Sequence, residues 1–247
     1  MSQSEGKNGV SRREFLVTSA TGVVALGALG MGGLGLIKEP SKINRDADGV
    51  IFPEPSLCIG CLSCEVACQD VHKKAGLPDV PRIRIFNEPA TKLDPELIRV
   101  NFARGNFFQH VCLQCPDAPC VPVCPVNALH IEPKTGARVI DPQVCIACGR
   151  CETSCPFEVR SEEALASKEP NGQRTRITYD PASNAYTKCD LCYFRPEGPA
   201  CIERCPINVR IKQGVIKSER MCLGFPKADA VNFAKLRDQQ TVKKSAG

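Results

Sequence analysis

The chain has 247 residues, of which 17 are Cys, 10 Phe, 3 Tyr and none Trp. Aromatic core material is scarce, so cohesion has to come from disulfides, metal or partners as well as from an apolar core. The formal charge of +5 is mild and no Lys/Arg block points to nucleic acid, while 20 Pro and 19 Gly favour loops and turns over long helices.

The first ten residues are polar, and Ser11-Arg12-Arg13-Glu14-Phe15-Leu16 follows. A twin arginine ahead of an uncharged stretch, here Phe15 to Ile37, resembles a Tat export signal. Gly22, Gly27, Gly30, Gly32, Gly33 and Gly35 dilute its hydrophobicity, which suits that signal better than a strong membrane span. The alternative is a permanent anchor, because the stretch is long enough to span a bilayer and no clear A-x-A cleavage site follows. Residues 1–37 are expected to be this signal or anchor, and the Pro- and charge-rich residues 38–57 a linker.

The first cysteine group is Cys58, Cys61, Cys64 and Cys68, spaced C-x2-C-x2-C-x3-C. Glu65 to Lys74 lacks Gly and Pro and predicts a short helix ended by Gly76, with Cys64 and Cys68 one turn apart. Period-two apolar placement predicts strands over Arg82–Phe86 and Leu97–Phe102, with Asn87 to Asp94 as the loop between them. The second group is Cys112, Cys115, Cys120 and Cys124, its gap widened by Pro116-Asp117-Ala118-Pro119. Val139-Ile140 is a short strand candidate after the Thr135-Gly136 turn.

The third group, Cys145, Cys148, Cys151 and Cys155, ends in Pro156 and repeats the undilated spacing. Residues 161–173 are polar and helix-tolerant, and Arg174–Tyr179 alternates like a strand. The fourth group is Cys189, Cys192, Cys201 and Cys205, followed by Pro206, with a loop of Pro196, Gly198 and Pro199 inside it. Cys222 stands alone and reads as a buried or free thiol. Pro226 to Gly247 predicts a helix with a frayed basic end, and no apolar run near twenty residues follows Pro206.

Sixteen of the seventeen cysteines therefore fall into four groups that share one spacing, apart from a variable gap before the third cysteine. Disulfides give no reason for such regularity. Zinc with four thiolates uses C-x2-C pairs but has no use for the third cysteine of C-x2-C-x2-C-x3-C-P, which is the bacterial ferredoxin run. The four groups point to [4Fe–4S] clusters. Gly60 and Gly149, inside the ligand loops, suit backbone that turns its N–H groups towards sulfur. Lys188 beside Cys189 reads as an exposed lysine, with a charge effect on a cluster as the alternative. His72, His110 and His130 read as structural or surface residues. No phosphate loop, nucleophile triad or dinucleotide fingerprint is present.

The groups can pair in more than one way, and loop lengths select. Twenty residues separate Cys124 from Cys145, against 43 between Cys68 and Cys112 and 33 between Cys155 and Cys189. Groups two and three then form the close pair, and groups one and four pair around them. With the fourth cysteine of each run crossing to the other cluster, the expected sets are Cys58, Cys61, Cys64 with Cys205; Cys189, Cys192, Cys201 with Cys68; Cys112, Cys115, Cys120 with Cys155; and Cys145, Cys148, Cys151 with Cys124. All four are expected to be [4Fe–4S]. The expected organisation is an outer module of residues 58–111 and 157–210, an inner module of 112–156, and a C-terminal extension of 211–247.

Four such groups behind a twin-arginine signal resemble the iron–sulfur (beta) subunits of DMSO reductase-type molybdopterin oxidoreductases, over about residues 55–210. Relatives of that family serve periplasmic hydrogenases and the cytochrome nitrite reductase pathway. The resemblance implies an α+β fold of two ferredoxin-like modules and an electron-transfer subunit with no substrate site of its own. It implies a molybdopterin-type catalytic partner, a membrane quinone/quinol subunit or cytochrome, and anaerobic respiration at the outer face of the cytoplasmic membrane or in the periplasm. The alternatives are a zinc-bound structural module and a free-standing polyferredoxin, the latter disfavoured by the long segments 69–111 and 156–188.

Overall fold

The structure, a computed structural model, describes residues 46–87, 91–101, 106–157 and 175–240. The twin-arginine segment and the helix-tolerant stretch 161–173 lie outside them. Among the described residues no helix is long and apolar enough to cross a membrane. The architecture is α+β, built from short elements held by loops.

Among the described residues, four two-stranded antiparallel sheets recur. β1 (Phe52–Pro53) pairs with β8 (Leu223–Gly224), joining the two ends of the described fold. β2 (Ile83–Asn87) pairs with β3 (Phe107–Val111), in register from Ile83 opposite Val111 to Asn87 opposite Phe107. β4 (Leu129–Ile131) pairs with β5 (Arg138–Ile140), and β6 (Ile177–Asp180) with β7 (Ala185–Lys188). The strands expected around Arg82–Phe86, Val139-Ile140 and Arg174–Tyr179 are present within a few residues.

The second expected strand, Leu97–Phe102, is not. Pro95–Asn101 forms the helix α2. Asp94 takes the N-cap role, its Oδ1 accepting from Glu96 N at 3.0 Å, and Pro95 occupies the first turn, where its missing N–H costs nothing. The partner of β2 is Phe107–Val111 instead. Helix α1 runs Ser63–Lys74, two residues longer at its start than Glu65, and Gly76 beyond it takes φ +71. Three short helices follow: α3 (Arg150–Thr153), α4 (Ala200–Glu203) and α5 (Pro206–Lys212). α6 (Phe233–Gln240) lies within the helix expected in the tail.

The core explains how so few aromatics suffice. Its largest buried cluster mixes Ile51, Leu57, Ile83, Val111, Val139 and Ile207 with Cys58, Cys64, Cys68, Cys189, Cys201 and Cys205. Sulfur thus does much of the filling. Val50, Ile51 and Leu57 are buried, so this end of the segment read as a linker belongs to the core. Burying each such side chain contributes roughly 1.5–3 kcal/mol.

Candidate metal centre

The four cysteine loops share one left-handed backbone position. Two residues after the first cysteine of each group stand Gly60, Gln114, Ala147 and Leu191, with φ +68, +52, +54 and +59. Left-handed backbone is uncommon outside glycine and costs about 1–2 kcal/mol. Its recurrence at one position in four unrelated sequences shows that the loops are shaped for a common purpose. Only Gly fits at 60, where an added Cβ would lie 2.8 Å from the Phe107 ring.

The loops bring sulfurs together across the chain. One cavity is walled by Cys68, Cys189, Cys192 and Cys201, with Ile51, His72, Arg82, Ile83, Val111 and Asp190 completing it. A second is walled by Cys124, Cys145, Cys148 and Cys151, with Val126, Leu129, Ile140, Ile146 and Tyr186 among its other lining. Each cavity draws three cysteines from one group and the last cysteine of another. Elsewhere Cys64 lies in the electrostatic reach of Cys58, Cys61 and Cys205, and Cys120 in that of Cys112 and Cys155, though Cys151 is also near. Cys115 is buried in the cluster that contains Phe157 and borders Cys155.

The electrostatics say what such sites lack. Burial first, then the charge of neighbouring thiolates and carboxylates, pushes thiols up, with the Lys188 charge opposing it at Cys120: Cys120, Cys151 and Cys192 rise to about 12, and Cys64, Cys189 and Cys201 are raised as well. Four thiolates in one cavity repel each other unless a cationic core holds them. Backbone N–H groups already point at sulfur: Arg82 to Cys68 at 3.3 Å, Leu129 to Cys124 at 3.4 Å, and Gln114 to Cys112 and Tyr186 to Cys145 at 3.5 Å each. The donor set therefore fits an iron–sulfur cube.

The surroundings correct one reading. Lys188 is not an exposed lysine: it is 2% exposed, and its Nζ donates to the carbonyls of Arg138 and of Cys189, the latter at 3.0 Å. Arg138, 1% exposed, donates to the Pro116 carbonyl at 3.0 Å, and Gln114 Nε2 donates to the Cys189 carbonyl at 2.6 Å. These buried polar groups tie the loop of Cys112 and Cys115 to that of Cys189.

His72 is structural, as expected, but its placement is specific. Its Nε2 meets Asp190 Oδ1 at 3.0 Å, and its Nδ1 lies 2.6 Å from the Cys68 carbonyl and 3.6 Å from Cys68 Sγ. Burial opposes its charge, yet hydrogen bonds to Asp190 and Cys68 raise its pKa to about 9. The carboxylate also accepts from Cys192 N at 2.9 Å and sits 3.8 Å from Arg82 Nε. The ligand atoms of His72, Asp190 and Cys192 lie within 4.8 Å of one another. Cys68 and His72 stand four apart on the predicted helix, a spacing that signals contact; Asp190, far away in sequence, gave no such signal. His110 is buried between Phe86 and Phe108, and His130 is exposed.

Fold and site together define a [4Fe–4S] iron–sulfur protein, and residues 103–171 match the 4Fe-4S dicluster domain family. Hydrogenase-4 component A of Escherichia coli (strain K12) is 34% identical over 176 residues, covering 63% of this chain and 78% of the relative. The aliphatic sulfonate oxidoreductase, polyferredoxin-like subunit of Pyrococcus furiosus is 36% identical, covering 63% and 70%. Protein NrfC of Escherichia coli (strain K12) is 31% identical, covering 79% and 76%. The chain belongs to the family of these relatives, the polyferredoxin-like iron–sulfur electron-transfer subunits of redox complexes.

Proposed function

We propose that the chain relays single electrons through four [4Fe–4S] clusters, held in two ferredoxin-like modules by the four cysteine sets expected from loop lengths. The clusters, when bound, supply the one-electron chemistry. The chain supplies spacing, insulation and charge. What carries the reading is the walling of each of two cavities by four cysteines, three from one group and the last from another. A zinc module would not call for that exchange.

The chain itself has no substrate site in this reading. It serves a catalytic subunit, of the molybdopterin type by the resemblance, and a membrane quinone/quinol subunit or cytochrome in anaerobic respiration. The similarity to Hydrogenase-4 component A, to Formate hydrogenlyase subunit 2 and to Protein NrfC supports the hydrogenase or nitrite reductase branch as the alternative. Cys61 and Cys148 are the two exposed thiols. Exposed Ile59, Leu62 and Val66 border the first, and exposed Val144 and Ile146 the second. Electrons would pass to redox partners at these two places. Export by the Tat system, to the periplasm or the outer face of the cytoplasmic membrane, follows from Ser11 to Leu16 and suits a protein whose clusters must be assembled before transport.

Anaerobic purification with iron and acid-labile sulfide counting tests this. About sixteen irons per chain with matching sulfide is the expected result. A colourless protein holding zinc would overturn it.

A further inference from the structure

We infer that the buried ammonium of Lys188 stands where the loops of the second and fourth cysteine groups meet, and raises the reduction potentials of the two clusters held there. Those are the cluster of Cys112, Cys115, Cys120 and Cys155 and the cluster of Cys189, Cys192, Cys201 and Cys68. The inference rests on the ligand sets proposed above.

The chain fixes this lysine from several sides. β7 ends at Lys188, opposite Ile177 of β6, and the next residue is the ligand Cys189. Its Nζ donates to the Cys189 carbonyl at 3.0 Å and to the Arg138 carbonyl on β5. The same Cys189 carbonyl accepts from Gln114 Nε2 at 2.6 Å, and Gln114 Oε1 accepts from Arg138 N at 2.7 Å. Gln114 lies between Cys112 and Cys115 in the second ligand loop, and its own N–H reaches Cys112 Sγ at 3.5 Å. One oxygen therefore joins the ammonium to both ligand loops. Cys112 also packs against the buried cluster that contains Cys189 and Cys201.

A buried ammonium calls for a countercharge. Among the described residues Lys188 meets two carbonyls and no carboxylate. The nearest acid in the sequence, Asp190, is engaged by His72 and Arg82. Carbonyl oxygens satisfy hydrogen bonds without cancelling charge. A cube held by four thiolates is anionic, so the two clusters beside Lys188 supply what the side chains do not. Each gains a further negative charge on reduction. A fixed cation nearby stabilises the reduced form more than the oxidised one, and the potential rises. The Cys145 set touches the same strand two residues earlier, through Tyr186 N, and should feel the charge less. The Cys58 set should feel it least.

The test is a potentiometric EPR titration of the full chain, purified anaerobically, as wild type, Lys188→Met, Lys188→Gln and Lys188→Arg, with iron counted in each. The ligand variants Cys120→Ser and Cys201→Ser assign the signals. Lys188→Met is expected to keep its iron and to lower both potentials, each by about tenfold in the reduction equilibrium, or ~59 mV for one electron. Lys188→Gln keeps a donor for the carbonyls without the charge and should lower them as much. Lys188→Arg keeps the charge and should recover most of the shift. A merely structural role predicts rescue by Gln instead. Where Lys188→Met does not fold, the Gln and Arg variants read the charge by themselves. Full iron with unchanged potentials overturns the inference, as does an equal shift of all four, a shift confined to one of the two clusters, or rescue by Gln. A wild-type protein without iron would instead sink the ligand sets themselves.

Discussion

The two cysteine-walled cavities use the same ligands in opposite settings. Cys68, Cys189, Cys192 and Cys201 are all buried, and His72, Arg82 and Asp190 stand among them. Cys124, Cys145 and Cys151 are half-buried, Cys148 is exposed, and the rest of the lining is apolar apart from Tyr186. One site is sealed and braced by charge; the other is open and braced by chain geometry. Ligand spacing therefore decides what is bound, while burial and neighbouring charge decide how tightly it is kept and how readily it exchanges electrons.

The largest expected effect of this difference is in metal loss. On exposure to a chelator under mild oxidation, the set containing Cys148 should release iron in a fast phase, well ahead of the set containing Cys201. A time course of iron release checks this, and a single phase for all the iron would erase the distinction. Next in size is the ionic brace of the sealed site. His72→Ala strands Asp190 in the core with one of its partners gone, and breaking a buried pair in this way costs about 3–5 kcal/mol. Because Arg82 and the Cys192 N–H remain with Asp190, a value at the lower end is expected in chemical denaturation. Asp190→Asn on the same background should recover part of the loss. The smallest effect concerns the open site. Gly149 has φ +74, and a Cβ there would lie 3.1 Å from Tyr186 Oη. Gly149→Ala should cost about 1–2 kcal/mol and speed the fast phase of iron release without touching the slow one.

The sequence alone made the metal chemistry legible, because a ligand loop is a local object. Spacing of two or three residues between cysteines survives any fold, and the positions of Gly60 and Gly149 could be read with it. Alternation also found β2, although its burial does not alternate: Ile83 and Phe86 are buried with two half-buried residues between them. It failed at Leu97–Phe102, where the same letters form a helix. The Asp94-Pro95 start signal was there to be read and outranks a short alternation. β3 was missed because its buried positions include the polar residues Gln109 and His110. Lys188 and the His72–Asp190 pair belong to the same class. Nothing local announces that a lysine will end on the Arg138 carbonyl, 50 residues away, or a histidine on a carboxylate 118 residues away. Long-range polar contacts are set by the assembled fold, and these are the features that distinguish one cysteine set from the next.

The central claim is that the last cysteine of each group serves the cluster of another. Cys155→Ser tests it most directly, since Cys155 lies in the third group while its electrostatic neighbours include Cys112 of the second. EPR of the reduced, anaerobically purified variant should show the cluster of Cys112, Cys115 and Cys120 lost or altered and that of Cys145, Cys148 and Cys151 intact. Loss of the Cys145 cluster with the Cys112 cluster unchanged would contradict the account.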